Sequence, residues 1–581
     1  MFLNTLLQNQ IDISQVPFSD RGSRLLIFRE ADESRLYIKL AERLMELDPA
    51  LEAYVHRPPF IQDLNLLGPN GDVLDFSIDT SPALLELKSQ IGKFELAFRD
   101  ETTLAFGLPD NSTSGIRFKV QSDRYQVTAP DGESYPIRHV VHGTNGSIVK
   151  EQITPVNDGH IVEVLVRGDE DCTLQLHIDD KIFACNEIPP FSAIRTTARK
   201  RWQAWFEQVP PVAKQYQRTY AYAWWVMANN LISPSGNVKF ESMMPTKAKY
   251  IGLWLWDSAL HALAFRHIDP ELARNQIRIF LAYQLPDGML PDVVFDEGIV
   301  GEIDHPVQAR VTKPPILAWA ALKIHEIAPD SGFLQEIYDP LTRWNAWWFD
   351  QSNDGQRGLA QYNHPYSSGA DDSPLWDAGM PVVAPDLNTY LYIQIKALAQ
   401  IARELGLETE VAKWEKRSGK LLQKMILELW DEKNGLFRVC HNGNPVAVTS
   451  PFNLYPLWTG DLPKEIQNRL LEHLQNPGEF WGEVMLPTVA RNDPKYAPET
   501  MWRGPVWANI NYFFIEALTL TGLQDIAKEL RDITLHLLMK TNGIHEYYHA
   551  ETGQPPSTAA PMFGWTAAVF IDLAIQASVI K

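Results

Sequence analysis

The sequence predicts an N-terminal antiparallel β-sandwich followed by a C-terminal (α/α)6 toroid, on three observations. All 18 tryptophans stand at Trp202 or later. The first 200 residues carry strand periodicity, and the rest of the 581-residue chain carries helix-length apolar repeats. Those helical segments follow one another with few convincing strands and no self-similar repeat of fixed period, which favours a closed ring of paired helices over an open solenoid. The expected domains are therefore a sandwich with its linker at 1–200 and a helical barrel at 201–581.

In the first part, GKFELAFRDETTLAFGLP, SGIRFKVQSDRYQVTAPDG and HIVEVLVRGDEDCTLQLHID alternate apolar and polar residues between Gly, Asp and Pro turns. DESRLYIKLAERLMELDPALEA is ambiguous: Leu36, Ile38 and Leu40 alternate as in a strand, whereas the continuation could be helical. In the second part, AKQYQRTYAYAWWVMANNLI, PELARNQIRIFLAYQ, PDLNTYLYIQIKALAQIARELG and WANINYFFIEALTLTG are helix-length segments punctuated by Gly and Pro. About eleven or twelve such segments precede Lys581.

Composition narrows the function. A formal charge of -20 disfavours nucleic acid and anionic membrane as partners, because phosphates would approach a repulsive field. A small neutral or polar substrate fits better. Cys172, Cys185 and Cys440 show no paired metal spacing and form an odd set, which points to a reducing compartment without a disulfide framework. The opening MFLNTLLQNQID lacks the basic and apolar regions of a secretory signal, and no run nears the roughly 20 apolar residues that span a bilayer. A cytoplasmic location is expected; the oligomeric state is not readable.

IHEYYHAETG contains the literal zinc string His545-Glu-x-x-His549. A zinc-binding helix needs room around that string and a third ligand downstream. Gly543, Gly553, Pro555 and Pro556 crowd it, no histidine follows His549, and the spacing of the usual third ligand falls on Pro555. No metal or other cofactor is expected.

Carboxylates in Trp-, Gly- and Pro-rich loops are a better signal, since sugar cleavage needs acids for proton transfer and aromatic faces for the pyranose C–H surface. WLWDSALHALAF sets Asp257 after Trp254 and Trp256. YSSGADDSPLWDAG places Asp371, Asp372 and Asp377 beside Trp376. TMWRGPVWANINYFF carries Trp502, Arg503 and Trp507, and HEYYHAETG carries Glu546 beside Tyr547 and Tyr548. Each has a bland explanation: Asp257 as a helix N-cap, the Asp371–Asp377 group as turn formers, Arg503 as a surface ion pair, the aromatics as core. Their co-occurrence in loops entering helices favours a site.

These blocks, with KPPILAWA and the closing FGWTAAV, resemble glycoside hydrolase family 63, and several are shared with the related family 37 trehalases. The resemblance spans roughly residues 200 to 581 in five ordered blocks. It implies an inverting hydrolase on an (α/α)6 barrel. Matching Ser-Gly-x-Asp gives Asp371 the role of general acid, and matching the closing block gives Glu546 that of general base. Asp257 and Arg503 would contact the sugar, with Trp254, Trp256 and Trp502 lining the subsite; Asp372, Trp376, Trp507 and Tyr547 in the same blocks are taken as substrate-binding too. The glutamate expected before Ser-Gly is Ser367 here, a departure that bears on the leaving-group pocket.

Asp371 must arrive protonated, through burial or a like charge from Asp372, Asp257 or Asp377. Glu546 would activate a water on the opposite face, tuned by Tyr547, Tyr548, His545 or Arg503. The substrate class is an α-linked glucoside or mannoside, such as a disaccharide or glycosylglycerate. Lys313 and Arg310 could meet a substrate carboxylate or equally stand on the surface. Rival readings are a trehalase, an inverting phosphorylase and a non-catalytic carbohydrate-binding protein.

Overall fold

The computed structural model describes residues 3–31, 33–42, 58–121, 138–180 and 187–579. Cys185 and the continuation of the ambiguous segment over 43–53 lie outside the described residues, as do positions 122–132 of the second alternating segment. Leu36–Leu40 is a strand. The chain divides into two compact units: 1–209 with 220–236 and 246–251, and 210–219 with 237–245 and 252–581.

In the first unit the strands are β1 (Leu25–Arg29), β2 (Leu36–Leu40), β3 (Ile61–Leu67), β4 (Val73–Leu74), β5 (Phe76–Thr80), β6 (Leu85–Ser89), β7 (Gly92–Asp100), β8 (Thr103–Gly107), β9 (Ser112–Gln121), β10 (His139–Thr144), β11 (Ser147–Val156), β12 (Gly159–Gly168) and β13 (Thr173–Asp179). They form two antiparallel sheets, one ordered β1-β2-β3-β9-β12-β11 with β4 on β3, the other β10-β13-β8-β7-β6-β5. Helix α1 (Phe191–Glu207) lies on β7 and β8, which explains why Phe94 to Phe98 is buried on both faces rather than alternately. The helix therefore belongs with the sheets, and the first passage of the chain into the second unit falls at 209/210.

After α2 (Gln217–Asn229), the helices of the second unit are α3 (Leu255–Phe265), α4 (Pro270–Leu281), α5 (Leu317–Ile327), α6 (Ser331–Gln351), α7 (Pro385–Glu404), α8 (Glu408–Leu429), α9 (Lys464–Leu474), α10 (Ala508–Leu520), α11 (Gln524–Met539) and α12 (Gly564–Val579). Consecutive helices pair: α3 with α4, α5 with α6, α7 with α8, the 3-10 segment Pro451–Thr459 with α9, and α10 with α11. One member of each pair also touches the next pair, running α3, α5, α7, the 3-10 segment, α10, α12 and back to α3. Sequence explains the division of labour. Every residue of α3 is buried, as an apolar-all-round helix must be, whereas α8 buries only a stripe that includes Trp414, Ser418, Leu421, Leu422 and Met425. Among the described residues no helix is long and apolar enough to cross a membrane.

Candidate active site

The sequence blocks converge because they lead into alternate helices of the second unit. Asp257 lies in the first turn of α3, Lys313 just before α5, Asp371 in the loop before α7, Trp502 and Trp507 before α10, and Glu546 and Trp565 before or at the start of α12. Asp257 does not cap its helix: the N-cap is Trp254, and no side chain caps the turn.

Asp371 follows a short 3-10 turn, Pro365–Ser368, closed by Gly369 at φ 73°. That left-handed turn brings the backbone against Trp256, where a Cβ on Gly369 would stand 2.3 Å from the indole Cζ2. The Asp371 side chain is 33% exposed, yet its Oδ1 is buried without a hydrogen-bond partner. Burial pushes the carboxyl up to about 7 against the pull of Lys313, and the charges of Asp292, Asp372 and Glu546 add to the rise. Of the three like charges expected from the sequence, Asp372 acts on Asp371 in this way. Asp257 instead faces Lys313, Glu546 and Asp292, and Asp377 is drawn into an ion pair elsewhere. Burial raises Asp257 well above the ordinary carboxylate range.

Glu546 is buried, and its Oε2 accepts a hydrogen bond from the Ala560 amide at 3.0 Å. Its own amide donates to the Ala560 carbonyl at 2.9 Å, so the pairing with residue 560 fixes both backbone and carboxylate. The segment around it is not helical, and His545 and His549 therefore do not share a helical face. Burial lowers His545 to about 4, and His549 Nδ1 accepts the Glu551 and Thr552 amides. Of the other proposed tuners, Tyr547 donates to Thr558 Oγ1 at 2.9 Å and Tyr548 accepts the His545 amide at 3.1 Å.

Aromatic rings pack beside the carboxylates. Trp502 and Trp507 stack with centroids 3.7 Å apart at 7°, Trp507 lies 4.9 Å from Tyr547, and Trp256 lies 5.0 Å from Trp565. These rings are almost wholly buried against one another; Trp254 is half-buried, 6.1 Å from Phe295. Trp376 sits beneath the acid loop and donates its indole N–H to the Ala370 carbonyl at 2.7 Å. Asp372 accepts the Trp502 amide at 2.9 Å, joining the acid loop to the tryptophan loop. Arg503 forms a bidentate pair with Asp377, at 3.0 and 2.7 Å, and donates to the Asp372 carbonyl. Its fork is thus occupied by the protein, which also holds Lys495 on the same Asp377 at 3.1 Å.

Two buried neighbours, Asp292 and Trp565, escape sequence reasoning. Asp292, buried at the edge of the short strand Val293–Phe295, and Lys313, equally buried, form an ion pair at 3.3 Å. Lys313 thus meets the protein's own carboxylates. Arg310 is engaged by Asp287, beside the face of Trp347. Neither Asp292 nor Trp565 carried a signal beyond lying in an apolar, aromatic block.

Buried carboxylates beside a tryptophan cluster, in a domain of paired helices, are what a carbohydrate-active enzyme requires. Residues 250–566 match the family described as mannosylglycerate hydrolase MGH1-like glycoside hydrolase domain. The chain belongs to this family, part of glycoside hydrolase family 63, and is a glycosidase. A mannosylglycerate hydrolase of Thermus thermophilus is 27% identical over 406 residues, covering 56% of this chain and 95% of that protein. The solved GH63 mannosylglycerate hydrolase from another strain of Thermus thermophilus, in complex with glucose, aligns with TM-score 0.52 at 23% identity, over 61% of this chain and 99% of the other. A bacterial glucoamylase solved with acarbose aligns with TM-score 0.57 at 11% identity, over 98% of this chain and 97% of the other. At such identities these two structures speak to the fold alone.

Proposed function

We propose that the protein hydrolyses a small α-linked glucoside or mannoside with inversion, Asp371 acting as general acid and Glu546 as general base, in an (α/α)6 toroid preceded by a β-sandwich. The observation that carries the assignment is Asp371: a carboxyl raised to about 7, partly open to solvent, within the electrostatic reach of a second, deeply buried carboxylate. Protonated, Asp371 hands its proton to the glycosidic oxygen as the C–O bond breaks. Glu546 removes a proton from the water that attacks the anomeric carbon from the other face, and the product leaves with inverted configuration. The helical ring closed by contacts from α12 back to α3 supports the toroid.

The relative named mannosylglycerate hydrolase makes a glycosylglycerate the first substrate to try, with α-linked disaccharides beside it. Incubating the protein with mannosylglycerate, glucosylglycerate and trehalose, and following the released anomer by NMR, tests both parts. Cleavage with inversion is expected; the retained anomer overturns the mechanism. Asp371→Asn and Glu546→Gln should each lower turnover by about 10²–10⁴, and wild-type turnover in either removes that residue from its role.

A further inference from the structure

A buried ammonium beside a general acid is chemically awkward, because it favours the ionised form that has no proton to give. Lys313 nonetheless stands 3.8 Å from Asp371 Oδ1, with a side chain only 4% exposed. Its nitrogen is fixed from two other directions, by the Tyr366 carbonyl at 2.5 Å and by Asp292 Oδ1 at 3.3 Å. Tyr366 belongs to the 3-10 turn that leads to Asp371, whereas Asp292 adjoins a strand paired with Leu253–Trp254, the entry to α3. One ammonium therefore ties the acid's own loop to the framework that carries Asp257.

Resting on the assignment of Asp371 as general acid, we propose that Lys313 is its positioning residue: the ammonium holds Oδ1, leaves Oδ2 to carry the proton to the substrate, and is itself restrained by Asp292 so that it does not strip the acid of that proton. The buried Oδ1 with no hydrogen-bond donor fits this division, since the exposed part of the side chain lies away from it. The groups facing Asp371 are Lys313 and Asp292, Asp372 and Tyr366 from its own loop, and Glu546 from the loop before α12; Asp257 faces Lys313 from α3. Lys313 pulls on Asp371, Asp292 and Asp257, and Asp292 offsets it most directly, lying 3.3 Å from the nitrogen.

The two partners should therefore act in opposite directions. Lys313→Met removes the cation, Asp371 holds its proton more firmly, and the alkaline limb of the kcat/KM profile moves up by about one pH unit. Asp292→Asn leaves the ammonium unshared, and the same limb moves down by about as much. Profiles are measured on mannosylglycerate and glucosylglycerate, with α-mannosyl and α-glucosyl fluoride as substrates whose leaving group needs no protonation. Lys313→Met should lose about 10-fold on the glycerate glycosides, less than the full general-acid contribution of about 10²–10⁴, and keep most of its turnover on the fluoride. A role confined to holding the loop would weaken both substrates alike and leave the limbs in place. Unmoved limbs, or limbs moving the same way in both variants, overturn the proposal. Should Lys313→Met fail to fold, Lys313→Gln replaces it, and the Asp292→Asn shift tests the opposite arm independently. Full hydrolysis by Asp371→Asn would instead overturn the acid assignment itself.

Discussion

Asp371 and Asp572 are carboxylates placed near opposite ends of the same helical framework, and each faces a buried cation. Asp572 Oδ1 accepts Arg266 at 2.8 Å and lies 2.7 Å from His267 Nε2, while Oδ2 accepts the Tyr512 hydroxyl and the Gln576 amide, both at 2.7 Å. Burial pushes this carboxyl up, but Arg266, His267 and Tyr512 outweigh it and hold it well below the ordinary range. Asp371 is raised by the same burial and meets a single ammonium 3.8 Å away, shared with other acids. A buried acid becomes a fixed charge when each oxygen has its donors, and a proton carrier when donors are withheld and like charges approach. Arg266 ends α3 and Asp257 begins it, so one helix of 11 residues serves both environments.

The contrast is broken most severely by amidating each acid in turn. Asp371→Asn should lower turnover by about 10²–10⁴ while leaving the thermal midpoint unchanged or higher. Asp572→Asn should do the reverse, costing about 3–5 kcal/mol because Arg266 is left buried with its charge uncompensated. Differential scanning calorimetry beside steady-state rates separates the two; an Asp572→Asn enzyme of normal stability would refute the reading of that cluster.

The same two groups predict opposite responses to pH. A carboxyl raised in the folded state weakens the fold as pH climbs from its ordinary value to its folded one, so the stability advantage of Asp371→Asn over wild type should grow from about pH 4 to about 7 and level off above that. Asp572, lowered in the folded state, contributes stability that is fully present above the ordinary carboxylate range and fades as pH falls. With Asp371 as the proposed acid, activity on the glycoside should decline as pH rises through about 7, where that carboxyl loses its proton. Thermal midpoints and kcat/KM across pH 4 to 9 check all three signs.

Which of this was readable in the sequence follows from how far each interaction reaches along the chain. Periodicity separated the sheets from the helices, because the face a residue buries depends on neighbours two to four positions away. Asp371, Glu546 and the tryptophans were visible because each sits in a block dense with Gly, Pro and aromatics. Asp292 was not, and Lys313 stood out only as a candidate for a substrate carboxylate, since an ion pair across 21 positions of loop and short strand leaves no local pattern. The Arg503–Asp377 fork, 126 positions apart, was likewise out of reach. The literal zinc string shows the converse failure: five matching letters mean little where the backbone takes bridged, non-helical geometry.

Gly369 tests the smallest element of the contrast, the backbone that presents Asp371 without a hydrogen-bonded cradle. It adopts φ 73°, and an added Cβ would meet Trp256 Cζ2 at 2.3 Å, Cε2 at 2.6 Å and Cη2 at 2.6 Å. Gly369→Ala therefore combines a left-handed backbone strain of about 1–2 kcal/mol with a displacement that falls on a buried ring rather than on a flexible chain end. Moving the loop away from Trp256 relieves the clash and carries Asp371, two residues on, away from the position proposed for it. A modest drop in thermal midpoint with a fall in kcat of about 10-fold is expected, because misplacement of an acid by a fraction of an ångström weakens proton transfer more than it weakens the fold. Turnover on a glycosyl fluoride should be spared relative to the glycoside; equal losses on both would place the damage in the displaced Trp256 ring instead of the acid.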